Sequence, residues 1–132
     1  MATSLGTILL ATDGSPSAAE AARVARSLAQ QSGAALHVVH TWQYVPTNAG
    51  LELASRGDSL MYATYEHQAT EILAAAVAAL REEGVAVAGH HLARARPASG
   101  IIATANDIGA DLVVMGSRGL GPVRRLLVGS VA

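Results

Sequence analysis

The chain contains no cysteine, no lysine and no phenylalanine, and its 132 residues include only one tryptophan and three tyrosines. Without cysteine the protein can have no disulfide framework, no thiol nucleophile and no thiolate metal site. Without lysine it can have neither a Schiff-base lysine nor the lysine of a Walker-type phosphate loop. The nine cationic side chains are therefore all arginines.

Charge is also sparse, because charged residues make up 14% of the sequence and hydrophobic residues 51%. This balance is typical of a folded domain with a real core, not of a disordered chain. The formal net charge of −1 provides no basic excess for a nucleic-acid surface. We expect one domain, residues 1–132, whose core consists of alanine, valine, leucine and isoleucine.

The N-terminus has no feature of a targeting segment. Met1 to Ser4 carry no basic side chain and do not follow the layout of a signal peptide. The longest apolar runs are far shorter than the roughly 20 residues that a transmembrane helix needs. We therefore expect a cytoplasmic protein that binds neither membranes nor nucleic acid.

Four short apolar runs predict β-strands, and segments with helical periodicity separate them. Because the runs are almost continuously apolar, they favour strands of a parallel sheet that is covered on both faces. The predicted strands are Thr7–Ala11, Ala35–Val39, Val85–Ala88 and Asp111–Met115. The predicted helices run from Ser15-Pro16 to Gly33, from about Ser59 to Glu83, and from Pro97 or Ala98 to Gly109.

This order of elements predicts an α/β fold, an open and doubly wound parallel sheet with helices on both faces. Ligands of such sheets bind beyond the carboxyl ends of the strands, where the winding reverses. The long segment Gln43–Asp58 lacks periodicity and predicts a loop, which is either a lid over the ligand or simply a mobile connection. The third helix is expected to turn four apolar residues inward, namely Ile101, Ile102, Ala105 and Ile108.

A glycine-rich segment with the spacing G-x2-G-x9-G-S follows the fourth predicted strand. Gly116 and Gly119 allow backbone NH groups to face an anion, because no Cβ atom blocks its approach. Gly129-Ser130 is predicted to begin a helix whose NH groups and hydroxyl bind a phosphate oxygen. Arginine side chains nearby add positive charge, at Arg118, Arg124 and Arg125. The alternative is an ordinary strand-to-helix turn, in which glycines are common.

These segments together resemble the universal stress protein family over almost the whole chain. The matching segments are Ile8–Ser15, Leu36–His40, Gly109–Gly119 and Gly129–Val131. The glycine spacing is similar to that of the family's ATP-binding branch. The resemblance implies a Rossmann-like fold of the adenine nucleotide α-hydrolase type in a cytoplasmic, ATP-binding stress protein that forms a homodimer.

The resemblance also implies roles for individual residues. Asp13 would hold the ribose or the phosphates bound to Mg²⁺, although the same side chain could simply form a turn before the first helix. Thr41 would meet the adenine through its backbone. The residues implied to contact the nucleotide are Ala11, Thr12, Asp13, Thr41, Met115, Gly116, Arg118, Gly119, Gly129, Ser130 and Val131.

The sequence departs from the family pattern at its C-terminus. Members usually continue past this point with a final helix and a fifth strand, which commonly pairs across the dimer, whereas this chain stops at Ala132. We therefore expect the final helix and fifth strand to be missing, the fourth strand to be an exposed edge, and the homodimer to be weaker.

Three functions remain open. The first is a nucleotide-dependent regulatory module that binds ATP with Mg²⁺ and uses no catalytic residue. The second is a slow ATPase or autophosphorylating enzyme that uses Ser117 or Ser130, and the third is an interaction scaffold without nucleotide. A histidine metal site is not expected, because His37 and His40 point to opposite faces of one strand. We instead expect His40 to be either a core residue or a residue at the edge of a pocket.

Overall fold

Five strands form one sheet in the structure, a computed structural model that describes residues 5–44, 51–116 and 126–129. The strands are β1 (Thr7–Ala11), β2 (Ala35–Trp42), β3 (Val87–Arg94), β4 (Leu112–Gly116) and β5 (Leu126–Gly129). The helices are α1 (Pro16–Ser32), α2 (Leu51–Glu82) and α3 (Pro97–Ile108).

The sheet has the strand order β3-β2-β1-β4-β5, in which the first four strands are parallel. One face packs a core cluster against α1 and α2, and the other face packs a second cluster against α3. The chain therefore winds in one direction through β2 and β3 and then returns across β1 to β4. The predicted doubly wound α/β fold is confirmed, and its winding reverses between β1 and β4.

The ends of α1 follow directly from the residues found there. The Ser15 hydroxyl accepts a hydrogen bond from the Ala18 amide at 3.3 Å, and Pro16 occupies the first helical position, where no amide is needed. Gly33 ends the helix with a φ of 75° and donates its N–H to the Ala29 carbonyl at 2.8 Å. Both predicted ends are confirmed.

Removing the cap of α1 should weaken the fold measurably. We expect Ser15→Ala to lower the free energy of unfolding by about 1 kcal/mol, because the Ala18 amide loses its acceptor. Urea unfolding measures the change, and Ser27→Ala, at an exposed position within the same helix, is the control. Equal stability of the two variants would contradict the capping role.

Three predicted boundaries are wrong. The second strand continues to Trp42 and does not end at Val39. The third strand runs over Val87–Arg94 and not over Val85–Ala88, because the Val85 amide donates to the Leu80 carbonyl at 3.1 Å and so completes the end of α2. Helix α2 begins at Leu51, so half of the predicted loop is helical, and residues 45–50 of that loop lie outside the described residues.

Within the described ranges, no helix combines the length and apolar character needed to cross a bilayer.

The C-terminal part of the sheet also differs from expectation. Strand β5 pairs antiparallel with β4, with Gly129 opposite Val113, so the expectation that β4 is an exposed edge is wrong. Strand β5 comes before Gly129-Ser130 and is therefore a different strand from the one that was expected to be missing after this point. Gly129 is the last residue of β5, and the rest of the helix predicted to begin at Gly129-Ser130 lies outside the described residues. In α3, Ile102 is 53% exposed instead of facing inward.

Candidate functional site

A cavity of about 670 Å³ opens at the carboxyl ends of β1, β2 and β4. Six residues implied by the family resemblance line it, namely Ala11, Thr12, Asp13, Thr41, Met115 and Gly116. They belong to three separate strand ends, and β1 pairs directly with both β2 and β4. The cavity therefore lies where the winding of the sheet reverses, which is the usual ligand position in doubly wound folds.

The other implied residues are not placed in this cavity. Arg118, Gly119, Ser130 and Val131 lie outside the described residues. Gly129 lies in β5 opposite Val113, whereas the strand end at the cavity is Gly116, three residues further along β4.

The lining also includes residues that the sequence analysis did not assign to a ligand. Ser17 and Ala18 come from the first turn of α1, Pro97 and Ile101 from the first turns of α3, and Val39 from β2. A sequence signal exists for the four helical residues, because each helix begins close to where the preceding strand ends. The first turn of a helix therefore lies at the same edge of the sheet as the strand tips.

Asp13 has a structural role and also lines the cavity. One carboxylate oxygen, Oδ1, accepts a hydrogen bond from the Ser15 amide at 2.9 Å, while the Thr12 hydroxyl accepts one from the Gly14 amide at 3.2 Å. Gly14 adopts a φ of 79°, a left-handed conformation that glycine tolerates without strain. This turn holds the half-buried Asp13 carboxylate between the tip of β1 and the start of α1.

His40 fixes the backbone at the tip of β1. Its side chain is only 7% exposed, and its Nδ1–H donates to the Thr12 carbonyl over 2.7 Å. The Thr12 amide in turn donates to the Val39 carbonyl at 2.9 Å. The prediction that His40 lies at the edge of a pocket is confirmed, and its tautomer follows because a carbonyl can only accept a hydrogen bond.

Gly116 allows the end of β4 to approach α1 closely. A Cβ atom at this position would lie 2.6 Å from the Ser17 hydroxyl and 2.8 Å from the Ser17 carbonyl carbon and oxygen. These distances are too short for any side chain, so the backbone of β4 contacts the first turn of α1 directly. The glycine thereby closes one corner of the cavity.

All four tryptophan and tyrosine residues of the chain lie in two pairs at the carboxyl end of β2. Trp42 and Tyr62 pack edge to face with ring centroids 5.2 Å apart, and Tyr44 and Tyr65 do so at 5.0 Å. Arg94 donates from Nη1 to the Tyr62 hydroxyl at 2.7 Å. The pairs join the β2 and β3 ends to α2, beside the edge of the sheet that carries the cavity.

Comparison with known proteins agrees with this architecture. The sequence model of the Universal stress protein family matches residues 5–132. A Thermus aquaticus protein, the "Universal stress protein in QAH/OAS sulfhydrylase 3'region", is 40% identical over 124 residues, which cover 94% of this chain and 85% of that protein.

Two solved structures show a similar fold. A protein from the universal stress protein family of Burkholderia pseudomallei has a TM-score of 0.69 and 27% identity, over 89% of this chain and 85% of that one. The universal stress protein from Archaeoglobus fulgidus in complex with dAMP has a TM-score of 0.57 and 26% identity, over 86% and 82% of the two chains. Since the family match spans nearly every residue and the fold agrees, the chain belongs to the universal stress protein family.

Proposed function

We propose that the cavity at the tips of β1, β2 and β4 binds an adenine nucleotide. The observation that carries the proposal is the position of this cavity. It lies at the carboxyl ends of the parallel strands β1 and β4, between which the winding of the sheet reverses. The Archaeoglobus relative, whose structure contains dAMP, supports the same ligand class. A volume of about 670 Å³ lies within the range of small-molecule sites.

The lining divides into an apolar part and a polar part. Ala11, Val39 and Ile101 provide apolar surface on which a base can pack, and Thr12 and Thr41 provide hydroxyls and backbone groups for the base edge and the ribose. In this proposal the phosphates extend from the ribose toward Asp13, the start of α1 and the end of β4. The amino end of a helix favours negative charge there.

ATP with Mg²⁺ is the finer form of the proposal. Proteins usually bind Mg²⁺ through one or two carboxylates together with the phosphates of the substrate. Asp13 supplies one carboxylate at the cavity wall, so the donor set fits a magnesium ion that arrives with the nucleotide. When bound, the ion would neutralise phosphate charge, and Asp13 would orient it from the β1 side.

We further propose that the protein acts through binding and not through rapid turnover. The ordered polar groups around the cavity serve its backbone: the His40 imidazole holds the Thr12 carbonyl, and the Asp13 carboxylate holds the Ser15 amide. Such groups build a preorganised pocket whose filling can be sensed by other proteins. A nucleotide-dependent regulatory module is the corresponding function.

Substitutions at Asp13 separate its two roles. Asp13→Asn keeps the Oδ1 acceptor for the Ser15 amide but removes the charge, whereas Asp13→Ala removes both. We expect both variants to bind ATP with Mg²⁺ about 10- to 100-fold more weakly, since a charge-assisted contact is worth about 1.5–3 kcal/mol. Calorimetry with ATP, AMP and adenosine measures this.

Only Asp13→Ala should also lose stability, by about 1 kcal/mol in urea unfolding, because only it lacks the turn hydrogen bond. Adenosine affinity should be nearly unchanged in the asparagine variant. If Asp13→Asn bound ATP with Mg²⁺ as tightly as the unsubstituted chain, the carboxylate would have only the structural role. If the unsubstituted chain bound none of the three ligands, the proposed function itself would be wrong.

A further inference from the structure

Two histidines from neighbouring strands meet on the α3 face of the sheet. His37 in β2 lies opposite Gly89 in β3, and His91 lies opposite Val39, two pairs further along. Their side chains share the face of Val39, which packs in the cluster beneath α3, because alternate residues of a strand face the same side. His37 Nδ1 and His91 Nε2 are 3.0 Å apart.

The two rings are nearly coplanar and meet nitrogen to nitrogen. Their planes differ by 19° and their centroids are 5.3 Å apart. The ring centroids are farther apart than the two nitrogens. The excess is about twice the distance from the centre of an imidazole ring to one of its nitrogens. The two nitrogens thus lie near the line that joins the rings, where one proton bridges two lone pairs.

Gly89 leaves space beside both nitrogens. A Cβ atom at this position would lie 2.7 Å from His37 Nδ1 and 3.5 Å from His91 Nε2. Any other residue would fill the volume into which both lone pairs can turn. Because residue 89 has no side chain, this space can hold an atom that contacts both rings.

The chemistry of the pair suits a transition-metal ion. Histidine is the commonest metal ligand in proteins and binds through a neutral imidazole nitrogen, and the pair brings two such nitrogens together. Tetrahedral zinc with Zn–N bonds of about 2.0–2.1 Å places two nitrogens roughly 3.3 Å apart, so the pair needs to widen by only a few tenths of an ångström. Imidazole ligands suit Zn²⁺, Ni²⁺ and Cu²⁺.

We propose that His37 and His91 form a binding site for one divalent transition-metal ion, which occupies the space above Gly89. The ion takes the place of the proton between the two nitrogens, and that proton moves to the other nitrogen of its own ring, so that both imidazoles bind as neutral ligands. Among the residues that the structure describes, no group of three or more metal-ligating side chains is assembled. Water therefore completes the coordination sphere, as in sites that keep open positions. This site is independent of the nucleotide cavity, whose lining includes neither histidine.

Titration with ZnCl₂ by calorimetry tests the proposal on the full chain. We expect saturable binding of one Zn²⁺ per chain, accompanied by a rise in melting temperature. His37→Asn and His91→Asn should each weaken the affinity at least tenfold, since even the loss of an outer hydrogen-bond partner of a metal ligand costs about 10–100-fold. His90→Asn is the matched control, because His90 lies between Gly89 and His91 on the opposite face of the same strand.

Gly89→Ala provides a second variant that keeps both ligands. It should also lose zinc affinity, because its methyl group occupies the proposed ion position. Melting curves without metal establish that each variant is folded. A dissociation constant weaker than about 1 mM for the unsubstituted chain, or equal affinities of the His37→Asn, His91→Asn and His90→Asn variants, would overturn the proposal, whatever the result with nucleotides.

Discussion

Gly116→Ala is expected to lower the free energy of unfolding by about 2–3 kcal/mol, the upper range for forcing extra volume into a packed interior. The added methyl group would lie 2.8 Å from the backbone carbon and oxygen of Ser17, which belong to the first turn of α1 and cannot rotate away. Relief requires the end of β4 and the start of α1 to separate. Urea unfolding with the linear extrapolation measures the loss.

Gly33→Ala is the matched control for this substitution. Gly33 adopts a φ of 75°, and a Cβ atom there would meet no atom within 4 Å. It therefore loses only conformational preference, about 1 kcal/mol. A Gly116→Ala variant as stable as Gly33→Ala would show that β4 and α1 do not approach as closely as the structure places them.

Ile101→Trp is expected to weaken adenine nucleotide binding by about 100-fold, or about 2.7 kcal/mol. Ile101 is half-buried and lines the cavity from α3, so an indole at this position fills volume that the proposed base would occupy. Adenosine should lose as much affinity as ATP, because the obstruction concerns the nucleoside and not the phosphates. Calorimetric titrations with both ligands measure the losses.

The neighbouring residue supplies the control. Ile102 is 53% exposed and does not line the cavity, so Ile102→Trp adds the same side chain to the same helix in solvent. Its nucleotide affinity should be unchanged. Equal losses in both variants, or none in Ile101→Trp at an unchanged melting temperature, would place the nucleotide elsewhere.

Central elements of the fold were predictable because they obey several local rules at once. Thr7–Ala11 is apolar throughout, as a strand with helices on both faces must be, and its predicted bounds agree with β1. The first helix combines Ser15, Pro16 and Gly33, which are strong signals for its two ends. The outer strand β3 instead alternates, with residues such as His90 exposed, so an apolar run could not reveal it.

The candidate site was predictable only where it follows a strand tip. Asp13 and Gly116 come directly from β1 and β4, so their convergence follows from the parallel sheet alone. Ile101 belongs to a helix whose first turns reach the cavity, and its contribution depends on packing. The pairing of His37 with His91 depends on the register between β2 and β3, which shifts at Leu36/His37 and leaves no trace in either segment alone.

The edge-to-face pair of Trp42 and Tyr62 gives this protein a built-in optical probe. Because Trp42 is the chain's single tryptophan, all indole emission originates one residue beyond Thr41, which lines the cavity. The ring is 9% exposed and contacts Tyr62, to which Arg94 donates a hydrogen bond, so a shift of α2 against the strand tips changes the surroundings of the fluorophore. Events at this edge of the sheet can therefore be followed by intrinsic fluorescence, without an attached dye.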